Sequence, residues 1–139
     1  NPDVDVAVLH SRDLGIDPLP WAQAPAQTGD DAMVMGFPHS GPFDAEMARV
    51  RDRITISGPD IYSHGRVERD SYTVRGKIQQ GNSGGPLVNT AGEVLGVVFG
   101  ASVDDSETGY ALTADEVNAQ IGDITQLTHP VDTGECVAH

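Results

Sequence analysis

The stretch Gly81-Asn82-Ser83-Gly84-Gly85-Pro86-Leu87 decides how the rest of this 139-residue chain is interpreted. Glycines on both sides of the serine permit dihedral angles that side chains forbid, and they let a ligand approach the backbone closely. A strand begins at Pro86, and residues 94–100 supply a second one after an Asn-Thr-Ala-Gly turn. The pattern predicts a serine nucleophile, with an oxyanion hole formed by the N–H groups of Gly81 and Ser83. The competing interpretation is a solvent-exposed turn without a chemical role.

A second segment, Asp3-Val4-Asp5-Val6-Ala7-Val8-Leu9, precedes this loop in the sequence. Together the two segments resemble the trypsin/chymotrypsin-like serine proteases, in particular their bacterial HtrA-like branch. The resemblance implies that Ser83 is the catalytic nucleophile and that Asp5 is the catalytic acid, which orients a histidine. Asp3 is the second candidate for that acid. The two motifs stand in the order that the family shows, so each supports the other.

The histidine that this mechanism needs is missing from its expected place. In the family it lies upstream of the aspartate, whereas every histidine of this chain follows Asp5. The sequence around each of them favours a surface or loop position: His10, His39, His64, His129 and His139. We therefore expect the chain to be the C-terminal part of a protease, inactive alone, whose N-terminal barrel carries the histidine. A non-catalytic, peptide-binding pseudoprotease is the alternative, although the intact serine loop argues against it.

Short apolar stretches separated by turn residues predict an all-β protein. The resemblance implies a chymotrypsin-like double β-barrel, of which this chain holds mainly the C-terminal antiparallel barrel plus a C-terminal helix. We expect residues 1–28 to form the aspartate-bearing strand and inter-barrel linker, with Trp21 as a packing anchor, 29–124 to form the barrel, and 125–139 a surface tail. Strands are predicted over residues 4–9, 31–37, 46–57, 60–67, 71–75, 86–88, 94–98 and 108–112, and a capping box at Thr113 predicts a helix over 114–121.

The resemblance also implies where a protein or peptide substrate binds. The residues that would line the specificity pocket or pair with an extended substrate backbone are Lys77, Gln80, Val98, Phe99, Gly100, Ala101 and Tyr110. Lys77 stands near the position where trypsin carries an acid, so a pocket for Arg or Lys is not expected. Asn82 replaces the aspartate that pairs with a new N-terminus in digestive zymogens, so activation by that ion pair is not expected either.

Composition narrows the choice of partners. The net charge of −13 disfavours nucleic acids and anionic membrane surfaces, because both repel an acidic protein. Neither a His/Cys cluster at metal-ligand spacing nor a glycine-rich phosphate loop is present in the sequence, so we expect no cofactor and no metal. The Asp132-Thr133-Gly134 triplet copies an aspartic-protease motif, but without the hydrophobic strand that should follow it.

Cys136 is the single cysteine of the chain, and it is either a free thiol or half of a disulfide. If the partner cysteine lies outside this chain, on the N-terminal barrel, the bond would favour an oxidising compartment. With this lone cysteine and without a PDZ-like region, the chain resembles the membrane-anchored acid-resistance proteases of mycobacteria. We therefore expect an extracytoplasmic location, in the periplasm or cell envelope, and a membrane-anchored parent protein.

Overall fold

Apolar side chains that alternate with polar ones direct one face of each strand into an antiparallel barrel. The computed structural model describes residues 1–136. Its strands follow the order β1-β2-β3-β6-β5-β4, and the sheet closes because β4 pairs with β1. Closure pairs the first strand of the sheet with the last, whereas residues 55–59 of β2 and 66–70 of β3 pair only with each other. The strands are β1 (Asp31–Gly36), β2 (Asp44–Pro59), β3 (Arg66–Arg75), β4 (Pro86–Asn89), β5 (Val94–Ala101) and β6 (Thr108–Thr113).

The core lies inside this barrel and draws on all six of its strands. Its most deeply buried side chains are at most 1% exposed: Val34, Val50, Tyr72, Val74, Leu87, Val98 and Ala111. The hydroxyl of Tyr72 accepts a 3.0 Å hydrogen bond from the N–H of Ala26, so the core also holds the segment that leads into the barrel. In that segment Trp21 forms a parallel bridge with Val94 but is 37% exposed, and its attachment is therefore mainly through the backbone.

The predicted helix is confirmed as α1 (Ala114–Ile121), and it begins where the sequence predicted. The hydroxyl oxygen of Thr113 accepts a 3.1 Å hydrogen bond from the N–H of Glu116, which caps the first turn. Arg53 connects the helix to the long β2–β3 hairpin, since it pairs with both Asp70 and Asp115. The hydrogen bond from Arg53, supported by one from Thr113, holds the pKa of Asp70 below its usual range despite partial burial.

The predicted break between strands 60–67 and 71–75 is wrong. Strand β2 continues to Pro59, the turn occupies residues 60–65, and β3 runs without interruption through Glu68-Arg69-Asp70. The Asp60 carboxylate accepts hydrogen bonds from the N–H groups of Tyr62 (2.9 Å) and His64 (3.0 Å). Since Asp side chains of this kind stabilise turns, Asp60 begins the turn and not a strand.

The predicted strand over residues 4–9 is also wrong. Residues 2–5 form a turn, residues 6–10 have no regular structure, and Asp5 has a φ of +60°, which no strand residue adopts. The N–H of Val6 bonds back to the carbonyl of Asn1, so its donor is used within the turn and not in a ladder. None of the strands described pairs with this segment, which explains why its apolar alternation does not produce one.

The chain beyond α1 contains a short 3₁₀ turn at Ile124–Gln126 and then an exposed segment up to Cys136. The end of the predicted tail, residues 137–139 including His139, lies outside the described residues. Over residues 1–136, α1 is too short and too polar to cross a bilayer.

Candidate active site

Ser83 is exposed at the end of the barrel, in the loop that precedes β4. The N–H groups around it are used by the protein: Asn82 donates to the Gln79 carbonyl (3.0 Å) and Gly84 to the Val98 carbonyl (2.7 Å). Within residues 1–136, by contrast, the N–H groups of Gly81 and Ser83 have no hydrogen-bond acceptor. The loop thus leaves unpaired the two donors that the sequence predicted for an oxyanion hole.

Close packing against β1 explains why this loop is rich in glycine. Gly81 has a φ of +102°, and a Cβ there would lie 2.3 Å from the carbonyl oxygen of Phe37. A Cβ at Gly85 would lie 2.1 Å from the carbonyl oxygen of Met35. Asn82 is buried against Gly36, so its side chain helps to seat the loop on the barrel. Substitution at either glycine would therefore displace the backbone around Ser83.

The Asp5 turn, defined as residues 2–5, is attached to the end of the β2–β3 hairpin where the two strands are joined. Val4 is buried at 4% exposure and anchors the turn. The carbonyl of Asp3 accepts a 2.8 Å hydrogen bond from Arg69, and the carbonyl of Pro2 accepts one from the N–H of Ile61. The carboxylate of Asp5 is exposed and makes no hydrogen bond with residues 1–136.

A chain of direct contacts connects the Asp5 turn with the serine loop. Arg69 bonds to Asp3 and lies over the ring of Phe99, at 5.8 Å from the ring centroid. Phe99 follows Val98 in β5, and the carbonyl of Val98 accepts the hydrogen bond from Gly84. The Asp5 turn and the serine loop therefore both connect to adjacent residues of β5, Phe99 and Val98, and within residues 1–136 no hydrogen bond joins Asp5 to Ser83.

The predicted substrate-binding residues fall into two groups. Lys77, Gln80 and Ala101 are exposed, and the space beside Gly100 is open, since nothing lies within 4 Å of a Cβ built there. Phe99 and Tyr110 are half-buried and stack on each other, with ring centroids 6.2 Å apart. These residues, which occupy β5, β6 and the segment before Ser83, leave accessible surface for a ligand.

Val98 lies deeper than the other predicted substrate-binding residues. Its side chain is 1% exposed and belongs to the barrel core. Its carbonyl accepts from Gly84, and its N–H donates to the Gly85 carbonyl at 2.9 Å. Both main-chain groups therefore bond to the serine loop, so Val98 supports that loop.

Sequence reasoning missed Arg69, because Glu68-Arg69-Asp70 was interpreted as a connection between two strands. In the structure Arg69 lies within β3 and is only 7% exposed. No signal in the sequence could have found it, because residues 68–71 are all polar and the burial of Arg69 is seen only in the structure.

Sequence reasoning also missed the aromatic pair Phe37–Phe43, which lies beside Gly81 with ring centroids 5.9 Å apart. Both rings are more than half exposed, Phe37 at 57% and Phe43 at 59%. No group of three metal-ligating side chains occurs in the part of the chain that the structure covers. Cys136 is exposed and unpaired there.

Comparison with known proteins places these features in a family. The chain is 52% identical over 139 residues to the serine protease Rv3671c of Mycobacterium tuberculosis, covering 99% of this chain and 35% of that protein. The chain thus spans about a third of the length of this curated relative. The predicted similarity to a mycobacterial protease is confirmed.

Solved structures agree with this similarity. The crystal structure of the Rv3671c protease in its active form superposes with a TM-score of 0.93 at 52% identity, covering 99% of this chain and 61% of that one. Its inactive form gives a TM-score of 0.80 at the same identity, covering 89% of this chain and 63% of that one. The predicted fold class, a chymotrypsin-like antiparallel barrel with a C-terminal helix, is therefore confirmed. A model of the trypsin-like peptidase domain matches residues 1–97, and the chain belongs to that family.

Proposed function

We propose that this chain is the serine-bearing part of an endopeptidase that cleaves proteins of the cell envelope. The observation that carries the proposal is the loop around Ser83, in which Ser83 is exposed and the N–H groups of Gly81 and Ser83 have no acceptor within residues 1–136. An oxyanion formed from a scissile carbonyl needs donors of this kind, and their prior fixation by the fold lowers the barrier. The similarity to a serine protease over 99% of the chain supports the same reaction.

In the proposed reaction Ser83 Oγ attacks the carbonyl carbon of the scissile peptide bond, and a histidine takes the hydroxyl proton. The oxygen of that carbonyl becomes an anion, which the N–H groups of Gly81 and Ser83 stabilise. The histidine then gives the proton to the leaving amine, and water hydrolyses the acyl-enzyme. Asp5 holds the imidazole in the tautomer that can accept the proton.

The histidine would come from an N-terminal barrel of the same protease. Over residues 1–136 no histidine ring hydrogen-bonds to Ser83 or Asp5, and the Asp5 carboxylate is exposed and open to a partner. Val8 and Leu9, directly after the Asp5 turn, are 51% and 89% exposed, which is apolar surface that a second barrel could cover. We propose this barrel as the partner of the chain.

Cys136 offers a covalent attachment to that barrel, because its thiol is exposed. A disulfide would require an oxidising compartment, which agrees with a periplasmic or envelope location and a membrane-anchored parent. A role in acid resistance would fit a domain in which acidic groups outnumber basic ones by 21 to 8, since their self-repulsion falls on protonation. Mass spectrometry of the complete protease without reductant tests the bond: a second cysteine-containing peptide linked to Cys136 supports it, and a free thiol contradicts it.

Hydrolysis of an unfolded protein labelled with a fluorophore tests the proposed activity. The complete protease should cleave it, and Ser83→Ala should reduce the rate by about 10³-fold or more while leaving substrate binding intact. Arg66→Met, an exposed position on β3, serves as the control and should retain the wild-type rate. Binding of peptides without cleavage by the wild-type protease would favour the alternative, a peptide-binding pseudoprotease.

A further inference from the structure

Arg69 is a buried cation without a buried anion. Its side chain is 7% exposed, and no carboxylate within residues 1–136 forms a salt bridge with it. An arginine stays charged in any protein environment, so its burial cannot be relieved by loss of the proton. Burial of an unpaired charge is costly, and an apolar residue could fill the same volume. Stability alone is therefore a poor explanation for an arginine at this position.

The guanidinium of Arg69 connects three segments that are separate in the sequence. Its Nη2 atom donates to two main-chain carbonyls, those of Asp3 (2.8 Å) and Pro59 (3.1 Å), which belong to the Asp5 turn and the end of β2. Its face lies over the ring of Phe99 at 5.8 Å. Its Nε atom is buried without a partner among the described residues. The guanidinium thus contacts the segment that carries Asp5 and the strand predicted to bind substrate.

We propose that Arg69 is a positioning residue that fixes the Asp5 turn against Phe99, an inference that rests on the proposed protease function. The planar fork of the guanidinium allows two hydrogen bonds from one nitrogen while its face remains in contact with the ring. Lysine can supply the charge but not the plane. Because Phe99 adjoins Val98, which holds the serine loop, Arg69 sets the distance between the catalytic aspartate and the nucleophile.

The rate constant of Ser83 labelling by a fluorophosphonate measures this effect on the complete protease. The reagent needs an activated serine but no peptide-binding site, so the rate constant reports on the catalytic groups. We expect Arg69→Met to lower it about 10- to 100-fold, the size of effect that misplacement by about 1 Å produces. The rate constant of Arg69→Lys should lie between those of Arg69→Met and the wild-type protease. Arg66→Met, which changes an exposed residue on the same strand, should have a rate constant within about two-fold of wild type.

The same experiment separates positioning from simple loss of folding. Partial, reversible unfolding of Arg69→Met would lower the observed rate constant only in proportion to the folded fraction, which circular dichroism measures on the same sample. A rate constant that equals the wild-type value after division by the folded fraction would overturn the inference and leave the proposed function intact. Failure of the wild-type protease to label would overturn the proposed function and this inference together.

Discussion

The N–H of Gly84 donates a 2.7 Å hydrogen bond to the carbonyl of Val98, and the N–H of Val98 returns a 2.9 Å bond to the carbonyl of Gly85. These two bonds attach the loop around Ser83 to β5, a strand whose apolar side chains are held in the barrel core. Because both bonds are between main-chain groups, the loop depends on how closely its backbone can approach its neighbours. Its glycines are therefore the residues at which substitution should have the largest effect.

Gly81→Ala should destabilise the protein by about 2–4 kcal/mol and slow the labelling of Ser83. Gly81 combines a φ of +102° with a contact of 2.3 Å between a built Cβ and the carbonyl oxygen of Phe37. Gly92 is the matched control, because its φ is +79° but nothing lies within 4 Å of a built Cβ. Gly92→Ala should cost only about 1–2 kcal/mol and leave labelling unchanged. Urea unfolding measures the free energy of unfolding of both variants. Equal losses of stability in the two would show that close packing at Gly81 adds nothing to the cost of its backbone conformation.

Gly109 and Ile78 should be coupled energetically. A Cβ at Gly109 in β6 would lie 2.2 Å from Cγ1 of Ile78, which is buried in the segment before the serine loop. Gly109→Ala should therefore destabilise by about 1–3 kcal/mol through overpacking. Ile78→Ala alone should also destabilise, through a cavity, by about 2–4 kcal/mol.

The double variant Gly109→Ala/Ile78→Ala should be more stable than the sum of the two single losses predicts, because the added methyl group enters the vacated space. Denaturant unfolding of all four proteins gives the coupling free energy, which we expect to exceed about 0.5 kcal/mol. Strict additivity would show that the two residues do not compete for this volume.

Asp70 should make stability depend on pH below neutrality. The hydrogen bond from Arg53 lowers its pKa in the folded protein relative to the unfolded chain, so its ionised form favours folding. This contribution is fully present above the unfolded pKa of about 3.9 and is lost as the pH falls through the lower, folded value. Asp70→Asn should therefore cost about 1 kcal/mol at pH 7, and the difference from wild type should vanish in strong acid.

Glu107→Gln provides the control for that measurement. Glu107 pairs with Arg75 across 3.4 Å, but both side chains are about two-thirds exposed (65% and 67%). Its removal should change the free energy of unfolding by less than about 0.5 kcal/mol at any pH. A constant difference between Asp70→Asn and wild type from pH 7 to pH 2 would show that ionisation of Asp70 does not stabilise the fold.

Features with a local cause were predictable from the sequence. The helix over 114–121 begins after the Thr113 cap and stops before Gly122. Residues adjacent in the sequence therefore determine both of its ends. The serine loop was predictable for a similar reason, since its glycines indicate a close approach of backbone, which the structure shows at Phe37 and Met35. The fold class followed from the motifs in this loop and in residues 3–9.

Features that depend on distant contacts were not predictable in the same way. The segment over 4–9 has the apolar alternation of a strand, but no described strand pairs with it, and a turn results. Val98 is a predicted substrate-binding residue, and only the structure shows that its main-chain groups bond to the serine loop. The role of Arg69 depends on its contacts with Asp3 and Phe99, both of which are distant from it in the sequence.

Mass spectrometry of the complete protease after reaction with a fluorophosphonate identifies the nucleophile. We expect a single covalent adduct, located on Ser83 in the peptide that contains Gly-Asn-Ser-Gly-Gly, and no adduct in Ser83→Ala. An adduct on a different residue, or proteolysis that persists in Ser83→Ala, would contradict the assignment of Ser83 as the nucleophile.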